Sequence, residues 1–189
     1  MKNNLLATLL CLSALSAFAN GNAGGSESPT SSNGLRTVPF LDVARYMGTW
    51  YEIAKYPNWF QKKCIGGAKA DYSLMSDGRV KVINRCRIEG GGVSEALGVA
   101  RQVGASTSPK LKVRFAPAWL SFLPFVWGDY WVIELDDDYQ LAAVSEPKRK
   151  YLWILSRAPK VDPVSYNALL TRLRQKGFDL DKLEVMQQD

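Results

Sequence analysis

From Thr49 onward the chain alternates apolar and polar residues with a period of two, in short runs separated by turn-forming residues. That is the pattern of half-buried strands. Thr49 to Tyr56 is the first run, and Pro57 ends it. Ala68 to Leu74 and Val80 to Cys86 follow, joined through Ser76-Asp77-Gly78, a hairpin turn signal. After Gly90-Gly91-Gly92 comes Ser94 to Gln102. In the next run, Lys110 to Phe115, the apolar Leu111, Val113 and Phe115 alternate with Lys110, Lys112 and Arg114. Asp129 to Leu135, Leu141 to Ser145 and Tyr151 to Ser156 complete the set, with Asp136-Asp137-Asp138 turning between the first two of these.

Helical patterning is confined to two stretches. Leu41 to Tyr46 reads as a short turn capped by Asp42. Asp162 as N-cap, Pro163 at the first helical position and Gly177 beyond the end bracket a longer helix with the apolar stripe Tyr166, Leu169, Leu170, Leu173. Leu183 to Met186 reads as a short last strand. Eight short strands followed by one helix predict an all-β fold, an antiparallel up-and-down barrel with the helix packed outside.

The N-terminal segment stands apart. Lys2, the apolar run Leu5 to Leu15 and Ala17-Phe18-Ala19 have the form of a cleavable signal peptide over residues 1–19. Leu10 precedes Cys11 where a lipid-attachment signal places a small residue, so a lipid anchor is not expected. Residues 20–34, rich in Gly, Ser and Asn, read as a flexible leader, and residues 35–189 as a single domain. The expected place is the periplasm or cell envelope.

Charge and composition narrow the chemistry. Lysines and arginines number 24 against 18 acidic residues, a modest excess without zinc-finger spacing or an RNA-binding aromatic motif, so no nucleic-acid partner is expected. Histidine is absent, which removes Ser-His and Cys-His nucleophiles and histidine metal sites; neither metal nor cofactor is expected. Beyond the signal segment two cysteines remain, Cys64 and Cys86, and an even pair in an exported chain predicts a disulfide.

Two motifs carry a family resemblance. Arg45-Tyr46-x-Gly48-Thr49-Trp50-Tyr51-Glu52-Ile53-Ala54 and Tyr151-Leu152-Trp153-Ile154-Leu155-Ser156-Arg157 resemble the first and last signature motifs of the lipocalin family, most closely its bacterial outer-membrane branch and that branch's plant and apolipoprotein-D-like relatives. The middle motif, usually Thr-Asp-Tyr, is represented here by Leu135-Asp136-Asp137 ahead of Tyr139. The resemblance spans about Phe40 to Val185. It implies an eight-stranded barrel closed at one end, where Arg157 lies over Trp50 beside Gly48, and open at the other.

Side-chain alternation then assigns the interior. Trp153 and Tyr151 share the Arg157 face and point into the barrel. Val113, Phe115, Tyr72 and Val82 follow on their own strands. Turning Glu134 outward sends Trp131, Ile133 and Leu135 inward, and Trp127 is expected at the cavity's edge. Glu52 falls on the Trp50 face, where a structural pairing is expected because a buried unpaired charge is costly. In the topology that the resemblance implies, the apolar segment from Ala116 to Gly128, with Trp119, Phe122 and Phe125, lies at the mouth, as do Lys62-Lys63 and Lys148-Arg149-Lys150. It reads either as a lid or as a contact with a membrane or a partner subunit, a homodimer included. A basic, aromatic rim suits an amphiphile with an anionic head.

The leading expectation is a binding protein, not an enzyme, holding a fatty acid, lysophospholipid or similar apolar small molecule for storage or transport. Two alternatives stand beside it: a lipocalin-fold enzyme using Cys64, and a carrier of a pigment such as a bilin or haem.

Overall fold

The computed structural model describes residues 34–188. The signal-peptide expectation, and the leader apart from Gly34, lie outside the described residues. One antiparallel sheet runs through nine strands: β1 (Gly48–Lys55), β2 (Gly66–Leu74), β3 (Val80–Arg87), β4 (Val93–Gln102), β5 (Lys110–Arg114), β6 (Gly128–Leu135), β7 (Leu141–Ser145), β8 (Leu152–Ser156) and β9 (Glu184–Val185). Each of β2 to β7 pairs with the next. β1 then pairs with both β8 and β2, which closes the barrel. A short helix α1 (Val43–Tyr46) precedes β1, and α2 (Pro163–Gln175) follows β8. As expected, Asp42 caps α1 and Asp162 caps α2, each side chain accepting a backbone N–H three residues on.

β1 changes partners along its length. Gly48 to Tyr51 face β2, whereas Tyr51 to Lys55 face β8. Above Tyr51 the β2 edge of β1 is taken by the C-terminal segment. There β9 pairs with Ala54 and Lys55, Met186 N–H donates to Ile53 O, and the Gln188 side chain donates to both Glu52 O and Ala68 O. The tail thus fills the seam where β1 parts from β2.

The closed end is built around Trp50, which is 0% exposed. The Arg157 guanidinium lies 4.0 Å over its ring and donates to three backbone carbonyls: Thr49 O at 3.0 Å, Arg45 O at 2.8 Å and Tyr139 O at 3.3 Å. Trp50 Nε1 donates to Tyr46 O at 2.9 Å, so the buried indole leaves no donor unpaired. Gly48 adopts φ +97°, and a Cβ there would stand 3.1 Å from an Arg157 nitrogen. Both the backbone conformation and the approach of the arginine require glycine.

Two apolar layers share the wall. Inside, Val82, Leu111, Val132, Val144 and Leu155 surround the Trp50 plug. Outside, Ile133, Ala143, Leu152 and Ile154 pack beneath Leu169 and Leu173 of α2. β7 is therefore buried on both faces, which accounts for its unbroken run Leu141-Ala142-Ala143-Val144. Glu134 faces outward, as expected, and pairs with Arg172 at 2.6 Å and Lys176 at 3.1 Å on the helix.

The Trp131 and Ile133 expectation is corrected here: neither side chain points into the barrel. The β6–β7 register shifts between Val132 and Glu134, so Ile133 is the extra residue of a bulge and the alternation changes phase across it. Ile133 and Glu134 both face out, and Val132 and Tyr130 take the interior. Trp131 lies on the outside with Lys110 Nζ 4.4 Å from its ring. Leu135 lies beyond the bulge and does face in.

Cys64 and Cys86 form the disulfide, Cα to Cα 5.4 Å, tying the β1–β2 connection to the upper end of β3. Replacing Trp50 with Ala is expected to lower the unfolding free energy by about 3–5 kcal/mol, the range for a large aromatic removed from a core. Chemical denaturation followed by tyrosine and tryptophan fluorescence measures it, and a loss below about 1 kcal/mol would contradict the plug's structural weight.

Candidate functional site

Above the plug the barrel holds a cavity of about 670 Å³ that opens at the end opposite Arg157. Its walls are mostly apolar, with Val80 and Val82 from β3, Leu111 and Val113 from β5, and Leu155 from β8. Room comes from small residues on the inward face of β4. Ala96 and Ala100 line the cavity, and between them Gly98 leaves space for the Phe115 ring, which would lie 2.8 Å from a Cβ at that position.

Several expected lining residues meet there. Tyr72, Val82, Val113, Phe115, Tyr151 and Trp153 all border the cavity. Trp153 stacks on Tyr151 at 5.8 Å, and Phe60 closes on both rings at 5.6 and 6.2 Å. Trp127 is a correction. It does not border the cavity but lies outside it, between the guanidinium groups of Arg101 (4.5 Å) and Arg114 (5.3 Å), with its Nε1 donating to Ser121 O. Its neighbours Val126 and Gly128 line the cavity instead. Arg114, on the polar face of β5 by its alternation with Val113 and Phe115, is nonetheless buried against this indole and donates to Ala116 O.

Polar groups enter at two depths. Near the plug, Tyr130 Oη bonds to Tyr46 Oη at 2.9 Å and Tyr72 Oη at 3.1 Å. Burial raises the pKa of all three, that of Tyr72 to about 12, so they stay neutral at physiological pH. Three hydroxyl hydrogens serve two mutual bonds, which leaves one donor for whatever shares the cavity.

Higher up, Gln61 links two strands. Its Oε1 accepts from Trp153 Nε1 at 3.0 Å and from Asn58 Nδ2 at 2.7 Å, while its Nε2 donates to Glu52 Oε2 at 2.7 Å. Asn58 also caps the 3-10 turn Trp59–Gln61. Glu52 therefore gains the pairing expected of it, but only through one oxygen; Oε1 is buried without a partner, as is Asn84 Oδ1. Burial raises the Glu52 pKa from its ordinary 4.5 to about 7, opposed by the Gln61 hydrogen bond and by Lys55.

Tyr130, Tyr46, Gln61 and Asn84 were not among the expected site residues. Asn84 was legible, since it continues the inward series Val80, Val82. Gln61 sits in a loop, where no periodicity operates, and the bulge hid Tyr130.

The mouth carries exposed aromatics: Trp59 at 72%, Trp119 at 73%, Phe122 at 76% and Phe125 at 79%. The last three belong to the β5–β6 connection, whose two 3-10 turns turn them away from the cavity. Lys62, Lys63, Lys148 and Lys150 are exposed beside them. Arg149, expected on this rim, is half-buried in a left-handed turn (φ 56°) and donates to Lys176 O behind the C-terminus of α2. It acts as a helix cap. The Cys64 thiol needed for the enzymatic alternative is absent, because the disulfide holds it. Among the described residues no three of His, Cys, Asp or Glu converge to hold a metal ion.

Glu52 ties folding to pH. The folded state holds its proton more tightly than the unfolded chain, so this contribution is complete below about pH 4.5 and is lost as pH rises to about 7. The loss over that window is about 3 kcal/mol. Glu52→Gln is expected to flatten this part of the stability profile in denaturation measured from pH 4.5 to 8. An unchanged slope in the variant would assign the pH dependence elsewhere.

Residues 41–188 match the lipocalin-like domain family. The chain is 39% identical to temperature-induced lipocalin-1 of Arabidopsis thaliana, over 82% of this chain and 83% of that protein. It is 40% identical to the outer membrane lipoprotein Blc of Escherichia coli K12, over 85% and 87%. Mouse apolipoprotein D is 32% identical, over 78% and 77%. Among solved structures, insecticyanin of the tobacco hornworm Manduca sexta superposes with a TM-score of 0.63 at 19% identity, covering 82% of this chain and 85% of that one. Apocrustacyanin C1 gives 0.62 at 13%, covering 78% and 80%. A barrel sealed by Trp50 and Arg157, with a family match across almost all of it and relatives near 40% identity, makes this chain a member of the lipocalin family.

Proposed function

We propose that this protein holds one fatty acid, lysophospholipid or similar apolar molecule in its barrel, without chemistry, and exchanges it at a membrane surface in the cell envelope. The observation that carries the reading is the cavity itself. It is about 670 Å³, within the roughly 300–1,000 Å³ that suits one small ligand, and it is walled by aliphatic and aromatic side chains. Burying an alkyl chain there gains about 0.8 kcal/mol per methylene. The outer-membrane relatives are named lipoproteins, which supports an envelope location.

The mouth supports the exchange step. Trp59, Trp119, Phe122 and Phe125 stand in solvent, where isolated apolar rings gain from entering a bilayer interface. Exposed lysines beside them add attraction to anionic lipid of about 1 kcal/mol each at low salt. Such attraction weakens as salt shortens the Debye length.

Trp153→Ala is expected to weaken fatty-acid binding at least about tenfold in calorimetry, since it removes a cavity wall and the Gln61 tether. Equal affinity would remove Trp153 from the site. Reversing Lys62, Lys63, Lys148 and Lys150 to Glu is expected to slow fatty-acid transfer to phosphatidylglycerol vesicles and to invert its salt dependence, because salt then screens repulsion. Affinity in solution changes little. Transfer that is independent of salt and of the reversals would leave the aromatic rim as a contact between two copies of the chain, which sedimentation would then detect.

A further inference from the structure

One covalent bond fastens the segment that partly covers the cavity. Residues 56–65 join β1 to β2, and from them Trp59, Phe60, Gln61 and Cys64 border the cavity. Only side chains hold the middle of this segment down. Phe60 closes on Tyr151 and Trp153, and Gln61 bonds to Trp153 Nε1 and Glu52 Oε2. At the ends, Tyr56 N–H donates to Leu152 O and Ile65 N–H to Arg87 O. Among the described residues no other backbone group of the segment bonds to a strand. Just beyond Ile65 the chain is suited to bending: Gly67 takes φ +57°, and the β2–β3 register shifts between Gly66 and Lys69. Two glycines beside a ladder irregularity can act as a hinge. The disulfide fixes Cys64, two residues before Gly66, to Cys86 of β3, with the Cα atoms 5.4 Å apart.

We propose that this bond is a redox catch: oxidised, it holds the segment over the cavity; reduced, it frees the segment to swing on Gly66-Gly67, so that ligand enters and leaves faster. The inference rests on the cavity reading above and adds a control on its rate of exchange. The reductant is a dithiol. Its thiolate attacks Sγ of Cys64, which is partly exposed, rather than that of Cys86, a residue 6% exposed. The S–S bond breaks, a mixed disulfide forms, and Cys86 leaves as a thiolate that takes up a proton. The second thiolate of the reductant then displaces Cys64, which is protonated in turn, and the dithiol departs as a disulfide. Two electrons and two protons have passed to the protein. Ala68, Ile88 and Met186 surround the sulfurs with apolar side chains, a setting that suits neutral thiols, so the packing there survives the opening of the bond.

A cover that must lift before a ligand passes scales entry and exit by the same factor. Stopped-flow binding and release of dansyl-labelled undecanoic acid measure both rates, before and after dithiothreitol, with a thiol titration confirming that Cys64 and Cys86 are reduced. Both rate constants are expected to rise at least about tenfold on reduction, while Kd changes by less than about threefold. Glutathione disulfide, which takes the two electrons back, restores the slow rates. Cys64→Ala/Cys86→Ala, matched to the apolar surroundings, exchanges fast throughout and ignores dithiothreitol; if it does not fold, the reduced wild-type protein carries the test. Rates unchanged on reduction overturn the catch and leave the cavity reading intact. A faster exit alone, with Kd raised to match, also overturns it, because the bond then only shapes the wall. Loss of the barrel's circular dichroism in both the reduced protein and the variant does so too, because the bond is then a staple of the fold. Failure of the oxidised protein to bind the probe defeats the cavity reading, and the catch with it.

Discussion

An indole and a guanidinium hold the closed end of this barrel together. Trp50 stands near the start of β1 and Arg157 follows β8, and their contact brings the two ends of the strand series into one place. The arginine charge is neither free in water nor paired with a carboxylate. It is spread over an aromatic face and three backbone carbonyls from three separate segments, so the seal depends on the barrel being closed. Those carbonyls belong to α1, to the start of β1 and to the β6–β7 connection, all at the closed end. The plug therefore supplies partners for backbone groups that an eight-stranded barrel leaves open at its base. Everything above it, including the tyrosine triad and the cavity, rests on that floor.

Between floor and mouth, the same wall serves two solvents of side chains. β7 and β8 present one set of apolar residues to the cavity and another to α2, so the helix occupies what would be the wet side of the sheet. Glu134, ion-paired to Arg172 and Lys176, fixes how that helix lies. Arg149 holds its C-terminal end from the β7–β8 turn. The basic patch read from the sequence as a single cluster is in fact divided between a structural cap and solvent-exposed lysines.

Much of this was legible where strands are regular. Period-two alternation placed Val82, Val113, Leu155 and Trp153 on the inner face, because those strands carry no irregularity between the reference residue and the one assigned. The same logic failed on β6, where one extra residue at Ile133 reversed the phase for Trp131. Bulges leave no mark in hydrophobicity when the residue they insert is itself apolar and has an outer layer to enter. Trp127 misled for another reason: it lies at a loop's exit, where backbone turns and two arginines set its direction. The sealed base and the expectation of a cavity came through family resemblance rather than through pattern, since packed and hollow eight-stranded barrels look alike in period and length.

The tail that fills the seam between β1 and β2 gives this barrel a history as well as a shape. Among themselves β2 to β8 pair only in chain order, so they can assemble as a meander. Closure instead joins residues far apart, Thr49 with Arg157 across 108 positions and Glu52 with Gln188 across 136. Loop entropy makes such long-range pairings the late and slow events of folding. Until they form, the β1 and β8 edges stay open, with unpaired N–H and C=O groups that invite pairing with another chain. The contacts of Met186 and Gln188 are thus among those that finish the container, and losing them would reopen the seam above Tyr51 rather than shrink the barrel.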